Sequence, residues 1–179
     1  VGQIAIPDVY FKNYLVANFD TDGNGEITED EALAVKEIDM SSYSAPIKSL
    51  TGIEHFINLE RLDCSGKSIA NLDLTACTAL TFLNCSKNCL FDISVSELIS
   101  LKTLNVSDNC LREIDLSNNQ NLEELNVSGN KLSAINVENN SSLKELKASG
   151  LNISELDLTG ITQLNTLDVM NNANLTKVI

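Results

Sequence analysis

The sequence predicts a solenoid of short, curved, parallel β strands, closed at one end by a small helical N-terminal cap. Three observations predict it. Leu recurs every 21 residues at Leu59, Leu80, Leu101, Leu122, Leu143 and Leu164, without slippage. Five further columns keep the same phase, so each unit reads L-x-x-L-x-(C/V) and then L-x-x-(L/I)-x-(L/V). Composition agrees: 43% of residues are hydrophobic but only 4% aromatic, with 26 Leu, 22 Asn and no Trp among 179 residues. Such a chain builds an aliphatic core and makes many turns.

One 21-residue turn cannot bury its own apolar row, whereas stacked turns bury each row against the next. The chain begins with a helix pattern at Phe11, Leu15, Val16 and Phe19. An acidic loop follows at 20–31, and Ala32 to Ile38 is expected as a short exit helix. Val35, Ile38 and Met40 also read as a first L-x-x-L-x-L, with Ile47 and Leu50 as its return half after Pro46. That first turn is irregular, since Val35 and Leu59 are 24 residues apart. Residues 1–45 are assigned to the cap and 46–179 to an array of about six repeats. Within each repeat the two L-x-L segments suggest two facing sheets across a thin core. At the far end Leu175 and Val178 fall one residue out of phase.

The columns resemble the leucine-rich repeat, L-x-x-L-x-L-x-x-N/C-x-L. Its Asn column is Asn88, Asn109, Asn130 and Asn172, placed to bond backbone groups that no ladder satisfies. Lys67 and Leu151 break that column, so their turns should be held differently. With Cys in the third column and D-L-S or N-V-S second halves, the array resembles internalin-like bacterial surface proteins. The resemblance implies a concave first sheet that binds a partner, a cap of EF-hand-like form, and a secreted or cell-surface location. The chain starts at Val1, consistent with a trimmed form whose export signal is missing.

The loop carries the clearest chemistry. An EF-hand calcium loop needs oxygen ligands at positions 1, 3, 5, 7, 9 and 12 and Gly at 6. Asp20, Asp22 and Asn24 supply side-chain oxygens, Glu26 its carbonyl, and Glu31 a bidentate carboxylate. Thr28 acts directly or through a water, Gly25 permits the turn, and Ile27 faces the core. Oxygen-only ligation selects a hard cation, Ca²⁺, over zinc. A lone hand cannot open a paired groove, so the ion is expected to lock the cap onto the first repeat.

Other reactive residue types read as structural. Cys64 and Cys85 share an inward column, and Cys89 and Cys110 share a turn position, a stacking unsuited to disulfides. His55 reads as an exposed histidine on the linker. Asp73, Asp115 and Asp157 repeat with the solenoid instead of converging, so they read as a solvated face and not as acid–base catalysts. A net charge of −13 excludes nucleic acid and anionic lipid as favoured partners. No apolar run approaches a membrane span.

Outward positions of the first sheet form two rows. Arg61 and Phe82 are its only large anchors, with Asn84, Asn105 and Asn126 as a polar surround. The expected function is a non-enzymatic, monomeric binding module that presents this concave face to a protein or glycan. The alternative is a spacer segment of a larger surface protein.

Overall fold

In the computed structural model, which describes residues 2–179, seven strands stack into one parallel sheet. They are β1 (Glu37–Asp39), β2 (Arg61–Asp63), β3 (Phe82–Asn84), β4 (Thr103–Asn105), β5 (Glu124–Asn126), β6 (Glu145–Lys147) and β8 (Thr166–Asp168). Their register follows the 21-residue columns: Leu62 lies beside Leu83, Leu83 beside Leu104, and so on to Leu146 beside Leu167. Ile38 joins at the head of that row, beside Leu62, so the irregular first turn still delivers a strand. The centres of the strands point inward. Leu62, Leu83 and Leu146 are fully buried, Leu104 and Leu125 all but so. Each such Leu contributes roughly 1.5–3 kcal/mol by leaving water.

Among the described residues the second sheet is reduced to one pair of two-residue strands at the far end. The return halves stay almost strand-free, and successive turns share single bonds such as Cys89 N–H to the Ile69 carbonyl (2.8 Å). The residue between their two apolar positions makes a local turn. The Asp73 carboxylate accepts hydrogen bonds from the Thr75 N–H and hydroxyl at 3.0 and 2.7 Å, bending the chain at once. Asp115 does the same with Ser117. The same turn ends the first-sheet strands at Asp63, Asn84 and Asn105, so it bends the chain in both halves of the repeat. Only β7 (Glu155–Leu156) finds a partner, β9 (Lys177–Val178). There Leu156 pairs with Val178, which accommodates the one-residue phase slip.

Helix α1 (Val9–Phe19) buries Phe11 and Leu15, and its N-cap is Asp8. The exit helix α2 runs over Glu29–Ala34, earlier and shorter than the expected 32–38. Thr28 sets its start through a capping box with Glu31, and Ile38 is claimed by the sheet. Phe11, Leu15, Ile27 and Ala32 of the cap belong to the same buried cluster as Ile38, Phe56 and Leu59. An aromatic group fastens the junction. Tyr14 packs edge-on against Tyr43 and Phe19, and its hydroxyl donates to the Asp39 carbonyl at 2.9 Å.

Candidate metal loop and concave face

The loop is built between two helix ends. Carboxylate oxygens of Asp20, Asp22 and Glu31 all lie within 4.8 Å of one another, a spacing suited to a single cation. Gly23 and Gly25 adopt φ of 74° and 80°, which other residues rarely tolerate. The Asp20 carboxylate accepts the Gly23 and Gly25 N–H groups at 2.7 and 2.8 Å, and the Gly25 bond leads in holding its pKa below the ordinary range. Glu31 is lowered to about 2, first by the Thr28 N–H, then by the N–H and hydroxyl of Thr21. The Glu26 carboxylate is occupied with Lys12 at 2.7 Å, which leaves the Glu26 carbonyl as its available ligand. Asn24 accepts the Glu26 N–H at 2.8 Å through its side-chain oxygen. The Thr28 hydroxyl is engaged in the capping box, bonded to Glu31. All of these donors are hard oxygens, so the residues fit Ca²⁺.

The acidic loop has no second acidic loop beside it to pair with. Here the chain supplies another partner. Gln3 forms an antiparallel bridge with Thr28, and the Ile4 N–H donates to the Ile27 carbonyl at 2.8 Å. Ile27 itself is fully buried. Asp8 ties the cap to the first turn. One oxygen caps α1 through the Tyr10 and Phe11 N–H groups, and the other accepts the Lys48 and Ser49 N–H groups at 2.8 and 3.1 Å. Burial pushes the Asp8 carboxyl upward, but these four backbone donors outweigh it and hold the pKa below 3.8. Nothing in the spacing of the sequence marks that double role.

His55 is not the exposed linker residue that the sequence suggests. It closes the 3₁₀ turn Ile53–His55, is half-buried, and its Nδ1 meets Glu29 of α2 at 2.7 Å. The five cysteines are free thiols. Burial pushes the Cys77 and Cys85 thiols up to about 12, and raises that of Cys64 as well. Thiols held protonated in this way are poor nucleophiles and poor metal ligands.

On the concave sheet Arg61, Phe82, Thr103, Glu124 and Glu145 form one row, and Asp63, Asn84, Asn105, Asn126 and Lys147 the next. The two anchors contact each other: the Arg61 guanidinium sits 3.5 Å from the Phe82 ring centre, while its Nε lies 3.3 Å from Glu37. The Asn84, Asn105 and Asn126 side-chain oxygens are committed to the Ser86, Ser107 and Ser128 N–H groups. The Asn84 amide nitrogen in turn donates to the Asp63 carboxylate at 3.3 Å. A shallow depression of about 240 Å³ runs over both rows from Phe82 to Lys147.

The interior Asn column behaves as its position demands. Asn109 Nδ2 donates to the Cys85, Val106 and Ser107 carbonyls, and its oxygen accepts the Leu90 N–H at 3.0 Å. Where Lys67 replaces Asn, its ammonium reaches the Met40 and Tyr43 carbonyls at 2.7 and 2.6 Å. At the other break, Leu151 is buried and its N–H donates to Asn172. The sequence also carries a second amide column, one not marked by the leucine pattern. Cys77, Leu98, Asn119, Asn140 and Ile161 are spaced by 21. Within it Asn119 donates to the Val95 and Leu98 carbonyls, and Asn140 to those of Leu116 and Asn119. Two Asn among apolar residues were the available signal.

Strand order, column register and the Asn ladder together define a leucine-rich repeat solenoid. No family model matches the chain, and no curated protein matches it. Among solved structures it is similar to a leucine-rich repeat protein of Leptospira interrogans, with TM-score 0.73 and 21% identity over 85% of this chain and 45% of that one. It is similar to internalin C2 of Listeria monocytogenes, with TM-score 0.66 and 20% identity over 100% of this chain and 98% of that one. A third likeness is the leucine-rich repeat ectodomain of the plant receptor kinase GASSHO1/SCHENGEN3 from Arabidopsis thaliana, in complex with Casparian strip integrity factor 2. Its TM-score is 0.58 at 25% identity, over 66% of this chain and 16% of that one. These likenesses establish the fold, and the chain spans less than half the length of the Leptospira protein.

Proposed function

We propose that the chain is a calcium-stabilised, non-enzymatic recognition module of a secreted or cell-surface protein, offering its concave sheet to a protein or glycan. One observation carries the binding role: seven strands in unbroken register set their outward rows side by side, so a ligand touches several turns at once. The placement of Asp73 and Asp115 supports a binding over a catalytic role, because each carboxylate is bonded within its own turn. No described helix is long and apolar enough to cross a membrane.

Calcium is the partner of the cap in this reading, held by Asp20, Asp22, Asn24, the Glu26 carbonyl and Glu31, and it holds the loop in place without switching it. Calorimetric titration gives one binding event, and EGTA lowers the melting temperature. Unchanged melting with no heat of binding removes the ion from the proposal. The concave face is tested by replacing Phe82 and Arg61 together with Ala. Both are partly exposed, so folding is retained, while affinity for a partner recovered by pull-down falls. Undiminished binding moves the site elsewhere. It would favour the spacer reading, which the commitment of Asn84, Asn105 and Asn126 to structural bonds already supports.

A further inference from the structure

The convex arc holds a surface that the concave site does not use. Where the irregular first turn meets the regular ones, a groove with about 680 Å³ of free volume opens between Lys48–Glu54 and Asn71–Asp73, reaching Asp92. Its floor continues across the turns over Leu72, Ile93 and Ile114. These three are the half-buried members of a column whose later members, Ile135 and Leu156, are only 9% and 0% exposed. Asp92 and Glu113 line one wall, Asp73 and Asp115 the other.

Acidic residues outnumber the one cation, Lys48, among the residues that line the groove. Some acidic side chains elsewhere sit beside cations, as Glu26 with Lys12, Glu37 with Arg61 and Glu123 with Lys144. Among the described residues, the four wall carboxylates make no ion pair. Beyond Asp115 the groove ends at Asn140. That side chain is fully buried, and its Oδ1 accepts no hydrogen bond from the described residues. Asn119 Oδ1, one repeat earlier, is buried and unpaired in the same way, so this feature belongs to the amide column beneath the surface. An aliphatic floor and acidic walls ask for one kind of occupant.

We infer that this convex groove docks an extended segment of a partner protein whose aliphatic side chains are flanked by lysine or arginine. The aliphatic groups cover Leu72, Ile93 and Ile114, and the cations reach the walls. Turns stack roughly 4.8 Å apart and an extended chain advances about 3.3 Å per residue. Three residues along the solenoid axis therefore span the step from Leu72 to Ile114. The net charge of −13 steers such a segment inward.

The probe is the fluorescein-labelled heptapeptide Lys-Leu-Lys-Leu-Lys-Leu-Lys, whose alternate leucines share one face when extended, with Lys-Ser-Lys-Ser-Lys-Ser-Lys as its apolar-free control. Fluorescence anisotropy at about 50 mM salt keeps the charges effective. Two double exchanges change net charge equally: Asp92→Lys with Glu113→Lys in the groove, and Glu124→Lys with Glu145→Lys on the concave sheet. All but Glu145 are exposed and Glu145 is partly so, and circular dichroism checks that both variants fold. The groove exchange is expected to weaken the leucine peptide at least about tenfold more than the concave exchange does. The serine peptide is expected to bind at least about tenfold more weakly than the leucine peptide. Failure of either difference, or absence of saturable binding, overturns the inference. None of these outcomes bears on the concave site, whose own test uses Phe82 and Arg61.

Discussion

Asp8 joins two structural tasks in one carboxylate, capping α1 and pinning Lys48 and Ser49. Asp8→Ala strips the helix of its cap and leaves two turn N–H groups without their acceptor, so we expect a loss of about 1–3 kcal/mol in urea unfolding. The pH dependence has a definite sign. The folded carboxyl lies below its ordinary 3.8, so its contribution is complete above that value and drains away as pH falls through the folded pKa. In the Ala variant the acid limb of the stability curve is correspondingly shallower. Gly129 poses a different constraint. It holds φ of 66°, and an added Cβ there collides with the Asp108 carboxylate. Gly129→Ala should cost about 1–2 kcal/mol, and an unchanged urea midpoint would show that the turn can relax.

Within a repeat, burial alternates with each residue along the strand, and so should mutational sensitivity. Leu125 is 1% exposed in mid-array, so Leu125→Ala should cost about 2–5 kcal/mol. Thr103 occupies an outward position of the neighbouring strand, and Thr103→Ala should cost less than about 0.5 kcal/mol. Equal losses would show the inward and outward assignments to be mistaken. The strands were legible because leucine spacing encodes them with a strict period. The reduction of the second sheet to one short pair was not, since L-x-L looks the same in both halves of the repeat. His55 was misread because its partner Glu29 lies in the cap, 26 residues away, outside any repeat period.

For the whole molecule, cap and array share one buried cluster, so the two unfold together unless the cap is weakened first. All three tyrosines, Tyr10, Tyr14 and Tyr43, lie in the cap or first turn, and there is no Trp. Tyrosine fluorescence therefore reports the cap, and far-ultraviolet circular dichroism mainly the array. With calcium the two urea transitions should coincide, and with EGTA the fluorescence transition should move to lower urea. At free calcium about 100-fold above Kd the ion adds about 2.7 kcal/mol. Coincident transitions under both conditions would show that the ion does nothing for the cap. The acidic loop was readable in advance because twelve consecutive residues carry it. The bridge that braces it was not, because Gln3 and Thr28 are brought together only by folding.

That brace has a mechanical meaning. Tension applied at Gly2 does not reach the repeats directly. It arrives first at the pairing of Gln3 with Thr28 and at the bond from Ile4 to Ile27, immediately beside the Glu31 carboxylate. The cap is in this sense the fuse of a spring. A pull on the N-terminal side must peel this short antiparallel pairing and disturb the acidic loop before the stacked turns bear load, so the rupture force of the first event is set at the loop and the extensibility afterwards by the solenoid.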